Sequence, residues 1–283
     1  MDLTFDGTRR DLTLDAQPVS YHEAGTGPVL IMLHGSGPGV SAWSNFQHNI
    51  GVFAQHFRVV MPDMPGFGLS GLPVLDAPYA RYTAAWMERF MDALGISDAV
   101  FIGNSMGGAV AAELAALAPA RVKRMAIMGS GGLSLPVFGA EPSEGFKRLF
   151  GFLENPTREG LMAWLHTMVY DPSLLTEALV EDRWRNAMAE GVIGRMKTIF
   201  GSLFDPRLQG VSPPLWTRAQ TIKTPTLMLW GRDDRMLPYD QAHLANRQMP
   251  DIELHTFARC GHWIQIERKA AFERVALEFL TRS

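Results

Sequence analysis

Gly103-Asn104-Ser105-Met106-Gly107 sets one serine between glycines, where the apolar run Ala99–Ile102 gives way to an alanine-rich segment. Strand before and helix after is the setting of a G-x-S-x-G elbow. There a sharp turn pushes the serine hydroxyl outward, and small neighbours keep the turn free of clashes. Gly107, Gly108, Ala109, Ala111 and Ala112 let the following helix approach the sheet closely. The N-terminus of that helix aims backbone N–H groups and a positive dipole end at Ser105. Ser105 is therefore a candidate nucleophile, against the plainer reading of an incidental serine in a glycine-rich turn. A base and an orienting acid elsewhere in the chain would decide between them.

Of the eight histidines, His262 is the best placed, in a short loop between the apolar run Ile252–Phe257 and the last helical stretch. His22, His48, His56, His166, His243 and His255 fall in strand, helix or surface segments and read as packed or solvated. Cys260, close to His262, reads as structural. The acid comes from "WGRDDRMLP", where the pattern G-x-x-D-x-x-x-P selects Asp234 and leaves Asp233 to a turn or a salt bridge. The chain order Ser105, Asp234, His262 is that of an α/β-hydrolase triad, unlike chymotrypsin or subtilisin. A further piece, "HGSGPG" at 34–39, follows the run Val29–Leu33. Its turn can direct a backbone N–H from Ser36 or Gly37 at the serine. With the Met106 N–H this makes an oxyanion hole, worth about 3–4 kcal/mol of barrier per donor.

These residues need a scaffold, and the apolar runs supply one. Val29–Leu33, Arg58–Met61, Ala99–Ile102, Met125–Met128, Thr226–Trp230 and Ile252–Phe257 read as buried strands. They alternate with helical stretches at Arg81–Leu94, Met106–Ala118, Gln241–Gln248 and Lys269–Leu280. That alternation predicts an α/β fold with a mainly parallel sheet covered by helices on both faces. Asp11–Leu14 and Val19–His22 predict an opening hairpin, with its turn at Ala16-Gln17-Pro18. The rhythm breaks between 133 and 213, where Phe146–Leu153, Arg158–Val169 and Thr176–Ala189 look helical and prolines punctuate. We expect a first core segment at 1–132, an inserted helical cap at 133–213 and a second core segment at 214–283.

Composition narrows the class. The chain has 283 residues, 47% hydrophobic and 19% charged, with a net charge of −3. It carries no basic footprint for nucleic acid or an anionic membrane. One cysteine excludes an intrachain disulfide, no leader pattern opens the chain, and no apolar stretch approaches a membrane span. A cytoplasmic protein is expected, forming a homodimer or a higher homo-oligomer, without metal or cofactor.

"HGSGPGVSAWSNF", "GNSMGG", "YDPSLLTEALVEDRW", "WGRDDRMLP" and "CGHWIQIE" together resemble the meta-cleavage product hydrolases. These are carbon–carbon bond hydrolases of bacterial aromatic-ring degradation, with an α/β-hydrolase fold. The resemblance runs from about residue 20 to the C-terminus and includes the cap, where general α/β-hydrolases diverge most. It implies a small-molecule substrate, a 2-hydroxy-6-oxo-hexa-2,4-dienoate, planar, with a carboxylate and an enol at one end. Ser36 and Met106 are the expected oxyanion-hole residues, from the turn and helix start described above. The resemblance assigns Gly37, Asn45, Asn104 and Trp263 to substrate binding, and more weakly Ser173.

Arg183 has a physical case of its own. It stands among Leu179, Val180, Trp184 and Ala187 on the apolar stripe of a cap helix, where a guanidinium needs an anion and a carboxylate matches its fork. The plainer reading is an arginine that snorkels or pairs with a cap glutamate. Phe138, Phe146, Leu149, Met168, Trp216, Met236 and Leu237 are candidate walls for the group on C6. Their size suits an aryl group, as in biphenyl- or dibenzofuran-type ring-fission products. The rival readings are a carboxylesterase with the same triad and a non-catalytic ligand-binding protein on this fold.

Overall fold

Alternate residues of the central apolar runs point to opposite faces of one sheet. Leu30, Met32, Val59, Met61, Val100 and Ile102 join one core, with Phe46, Phe53 and Phe272. Ile31, Leu33, Val60 and Phe101 join the other, with Trp86, Phe90 and Val110. Both faces are apolar because both are covered by helices, as a parallel sheet requires.

The computed structural model describes residues 3–133 and 142–282. Its strands are β1 (Arg9–Leu14), β2 (Gln17–Ala24), β3 (Val29–Leu33), β4 (Arg58–Pro62), β5 (Ala99–Asn104), β6 (Val122–Met128), β7 (Thr226–Gly231) and β8 (Ile252–Phe257). They form an eight-stranded sheet in the order β1-β2-β4-β3-β5-β6-β7-β8. β2 runs antiparallel to β1 and β4, and every other pairing is parallel. The hairpin turn differs from the expectation. Asp15 and Ala16 both have positive φ, 53° and 59°, so they make a tight two-residue turn whose twist suits the hairpin. Gln17 and Pro18 consequently open β2.

Tyr79–Ala93 and Met106–Leu117 cover one face, while the C-terminal helix Lys269–Leu280 covers the other. Between β6 and β7 the described residues contribute no strand. They form the helices Glu144–Glu154, Arg158–Met168, Glu177–Ala187, Val192–Gly201 and the short Pro206–Gln209. Val192–Gly201 was not anticipated. It starts at a left-handed glycine, Gly191, with no side-chain cap to announce it.

Backbone and side-chain ties dock this helical insertion on the sheet. Arg195 Nε donates to the Gly66 carbonyl at 3.2 Å and the Tyr79 N–H to Ser202 Oγ at 3.1 Å. Ser143 Oγ donates to the Met236 carbonyl at 2.7 Å. Buried insertion residues such as Leu149, Phe152, Trp164 and Leu165 belong to the same core as the sheet.

Candidate active site

Ser105 sits where β5 ends and the helix Met106–Leu117 begins, with φ at +53° and only 7% of its surface exposed. A non-glycine residue in this region is strained, and such strain persists only where the surroundings over-determine it. They do so here: the Ser105 N–H donates to the Met128 carbonyl on neighbouring β6 at 2.7 Å, and Gly108 and Ala109 donate to the Ser105 carbonyl. The helix passes so close to β3 that a Cβ on Gly107 would lie 2.2 Å from the Leu33 carbonyl oxygen. Only glycine fits there. Met106 is the first helical residue, so its N–H has no acceptor within the helix.

Asp234 follows β7 and His262 follows β8, so both stand at the same sheet edge as Ser105. Asp234 Oδ2 lies 2.7 Å from His262 Nδ1, with both side chains buried. Asp234 Oδ1 accepts the N–H groups of Met236 and Leu237, each at 2.8 Å. A carboxylate so placed favours the imidazole tautomer that carries its proton on Nδ1, the one in which Nε2 can accept. Asp233 points elsewhere, accepting the Cys260 N–H at 3.3 Å. β6 separates the serine strand from β7, and Gly129 clears the way between them. A Cβ there would stand 3.0 Å from His262 Nδ1 and 3.2 Å from Asp234 Oδ2. Cys260 is fully buried, and burial pushes its thiol pKa up, as befits a structural residue.

The "HGSGPG" loop follows β3 beside the elbow. A Cβ on Gly35 would lie 3.4 Å from Ser105 Cβ and 2.7 Å from Asn104 Oδ1. Asn45 Oδ1 accepts the Gly35 N–H at 3.1 Å, which ties the short helix Ala42–Phe46 to this loop. The Nδ2 groups of Asn45 and Asn104 are buried without a partner.

Arg183 is 5% exposed on the stripe formed with Val180 and Ala187. Its guanidinium stands over the Trp263 ring at 5.3 Å, and no carboxylate among the described residues pairs with it. Burial lowers its pKa to about 10, opposed by the Asp182 charge, so it stays cationic at neutral pH. Trp263 is itself buried, and its backbone N–H donates to the Met168 carbonyl at 3.2 Å. A buried cation over Trp263 and two buried, unpaired amide donors, Asn104 beside Ser105 and Asn45 on the adjoining loop, are the kind of groups that an anionic, oxygen-rich ligand would satisfy.

Not every expected residue joins this cluster. Ser173 is exposed, in a short turn whose backbone N–H donates to Asp171, because the 3₁₀ turn Pro172–Leu174 runs over the surface of the insertion. Trp216 is half-buried in the 3₁₀ segment Leu215–Thr221 and belongs to neither core. Phe138 lies outside the described residues. Leu149, Met168, Met236 and Leu237 are buried in the core that faces the insertion, with Phe146 packed against it.

Three residues escaped the sequence reading. Glu267, last in "CGHWIQIE", accepts the Gly261 N–H at 2.7 Å with Oε1 and the Tyr170 N–H at 2.8 Å with Oε2. It thereby clamps the His262 loop to the insertion. His34 is fully buried, contacting the Gly35 carbonyl through Nδ1 at 2.6 Å and accepting the Met64 N–H through Nε2 at 3.0 Å. The third is Trp164, 1% exposed, whose indole N–H has no partner. An isolated acidic, imidazole or indole side chain has no spacing signature, so only contacts reveal these roles. Among the described residues no group of three His, Cys, Asp or Glu side chains could hold a metal ion.

Comparison with known proteins agrees with this geometry. The family model of the α/β hydrolase fold matches residues 28–269. A 2-hydroxy-6-oxo-6-phenylhexa-2,4-dienoate hydrolase of Burkholderia cepacia is 41% identical over 93% of this chain and 91% of its own length. A 2-hydroxy-6-oxononadienedioate/2-hydroxy-6-oxononatrienedioate hydrolase of Comamonas testosteroni is 40% identical over the same shares. Among solved structures, a variant of the meta-cleavage product hydrolase CumD superposes with a TM-score of 0.86 at 31% identity, covering 98% of this chain and 99% of its own. The phenylhexadienoate hydrolase of Rhodococcus sp. strain RHA1 gives a TM-score of 0.86 at 29% identity, covering 97% and 98%. The chain belongs to the α/β-hydrolase fold family and, within it, to the meta-cleavage product hydrolases.

Proposed function

We propose that this enzyme hydrolyses the C5–C6 bond of 2-hydroxy-6-oxo-hexa-2,4-dienoates, giving 2-hydroxypenta-2,4-dienoate and a carboxylic acid. The observation that carries the reading is Arg183. A buried guanidinium with no carboxylate of its own, over Trp263, fits the substrate carboxylate. A carboxylesterase acting on neutral esters would have no use for it.

The residues divide the work in two stages. With the carboxylate held by Arg183 and the enol end by Asn45, Asn104 and Gly37, the bound dienol ketonises and C5 gains a proton, which His262 helps to shuttle. Ser105, deprotonated by His262 Nε2 while Asp234 holds Nδ1, then attacks the C6 ketone. The backbone N–H groups of Ser36 and Met106 hold the oxyanion. The C5–C6 bond breaks and its electron pair leaves as a conjugated dienolate, which takes a proton. Water activated by His262 finally releases the acid from Ser105.

The segments 1–132 and 214–283 act as the core and 133–213 as the cap. Leu149, Met168, Met236 and Leu237 would bound the C6 group, and their bulk favours aryl substituents of the biphenyl or dibenzofuran type. Each CH₂ left unburied in such a space forgoes about 0.8 kcal/mol. The lone cysteine, buried and free, suits a reducing cytoplasm, where we place the enzyme as a homodimer or higher homo-oligomer. No helix among the described residues is long and apolar enough to cross a membrane.

Kinetics on three substrates tests the reading. The coloured 6-phenyl dienoate should bleach with release of benzoate, at a kcat/KM at least about tenfold above that of the 6-methyl analogue. Arg183→Gln should lower the preference for dienoate over a neutral aryl ester by at least about tenfold. Ester hydrolysis without dienoate turnover would establish the carboxylesterase instead, and neither activity would leave a binding protein.

A further inference from the structure

Trp164 stands on the insertion helix Arg158–Met168, almost completely buried, with its indole nitrogen unpaired. As core filling it is a poor choice. A phenylalanine or leucine would occupy such a site without desolvating a donor, and buried N–H groups left unsatisfied are rare and call for an explanation. Its surroundings supply one. A Cβ on Gly37 would lie 2.8 Å from Trp164 Cζ2 and 2.5 Å from Cη2. The next nearest ring atom is Cζ3 at 3.6 Å, so the outer edge of the six-membered ring abuts the loop between β3 and the elbow. The flank of Cζ2, bonded to the ring carbon that carries Nε1, is the nearer one. Trp164 also meets Trp263 edge-on, with ring centroids 6.5 Å apart and planes at 80°. Trp263 in turn lies beneath the Arg183 guanidinium. The unpaired indole N–H therefore belongs to the same neighbourhood as the two unpaired amide groups of Asn45 and Asn104.

We propose that the Trp164 indole N–H is a substrate-positioning donor, hydrogen-bonding the carboxylate head of the bound dienoate beside Arg183. The proposal rests on the dienoate reading above. The aim at the head, and away from the C6 group, follows from the neighbours. Gly37, Trp263 and Arg183 surround the polar end, whereas three of the four apolar wall candidates, Leu149, Met236 and Leu237, come from another helix and from the acid loop; the fourth, Met168, lies one turn beyond Trp164 on the same helix. An indole donor is neutral and rigid. It would fix the tilt of the planar head while Arg183 neutralises its charge, so that C5 and C6 are presented to His262 and Ser105 in one orientation.

Trp164→Phe retains the apolar ring and deletes only the donor. Two measurements are made: the ratio of kcat/KM for the 6-phenyl dienoate to that for a neutral aryl ester, and the dienoate Kd in the Ser105→Ala background. The ratio should fall about ten- to hundredfold, the range for losing a hydrogen bond to a charged group. The Kd should rise with it. Trp164→Leu repeats the measurement should the phenylalanine variant unfold, and a thermal midpoint near that of the parent certifies either one. Equal losses on dienoate and ester would overturn the proposal in favour of a packing role, and so would an unchanged dienoate Kd. Failure of the parent enzyme to turn over the dienoate would instead bring down the functional reading itself.

Discussion

At Asp234 both carboxylate oxygens are occupied, one by His262 Nδ1 and the other by the N–H groups of Met236 and Leu237. Asp234→Asn would keep one oxygen for the two backbone donors and turn an NH₂ group toward the imidazole. That forces the proton onto Nε2, the nitrogen needed as base, and kcat should fall by roughly four orders of magnitude with geometry preserved. Asp233→Asn touches only the Cys260 N–H and should leave kcat within about threefold, the scale of a surface substitution. Steady-state kinetics on the two variants, side by side, checks the assignment. A large loss at Asp233 with little at Asp234 would reverse the choice of acid.

Between elements, the decisive contacts are backbone groups held by other backbone groups and by side chains. Met168, the last residue of an insertion helix, accepts the N–H groups of both His262 and Trp263 at 2.9 and 3.2 Å. Arg235 Nη2, from the acid loop, donates to the Val169 carbonyl at 3.4 Å and also contacts the His166 carbonyl. Glu267 completes this seam with one oxygen on Gly261 and the other on Tyr170. Glutamine at 267 can accept on one side only and would set its NH₂ against an N–H on the other. Glu267→Gln should cost about 1–3 kcal/mol, a lowering of the thermal midpoint by several degrees. It should also lower kcat on the dienoate, because the histidine loop and the insertion would no longer be held in register. Calorimetry paired with turnover measures both. A midpoint that drops with kcat untouched would show that the clamp serves stability alone.

Across the whole molecule, two buried groups next to the site oppose each other in acid. Burial lowers the His34 pKa from 6.5 to about 4, helped by the Arg183 charge and resisted by the bond to the Gly35 carbonyl. The unfolded chain therefore takes up a proton that the folded chain refuses, and stability from His34 is present above 6.5 and lost as pH falls toward 4. A difference of that size is worth about 3 kcal/mol. Asp63 behaves in reverse. Burial raises its pKa from 3.8 to about 6, against the N–H donors of Leu69 and Ala42, so its contribution grows as pH falls below 6. The two nearly offset, and the acid limb of the stability curve should be shallow between pH 6 and 4. His34→Gln removes one side of the balance. The variant should be less stable than the parent at pH 7, with the gap closing as pH falls toward 4. Urea unfolding at several pH values measures it, and a gap independent of pH would show that His34 titrates normally.

Local signals carried much of this protein. The apolar runs at Val29–Leu33 and Ile252–Phe257 and the helix Lys269–Leu280 were legible to the residue, because buried strands and an amphipathic helix write their periods into the chain. The elbow was legible because a strained serine demands small neighbours at fixed offsets, and the acid loop because G-x-x-D-x-x-x-P singles out one of two adjacent aspartates. Val192–Gly201 was missed since it lacks a capping side chain, and the hairpin turn since two left-handed residues need not be glycine. Only tertiary structure could tie Asn45 to the Gly35 loop beside Asn104, set Trp164 against Trp263 and place Arg183 over that ring, for these contacts depend on how the insertion lands on the sheet. The same holds for Ser173, whose motif resembles a site while its turn lies on the surface. Chain periodicity determines which elements form. Which unpaired donors face each other is settled by long-range packing, in which sequence neighbours have no say.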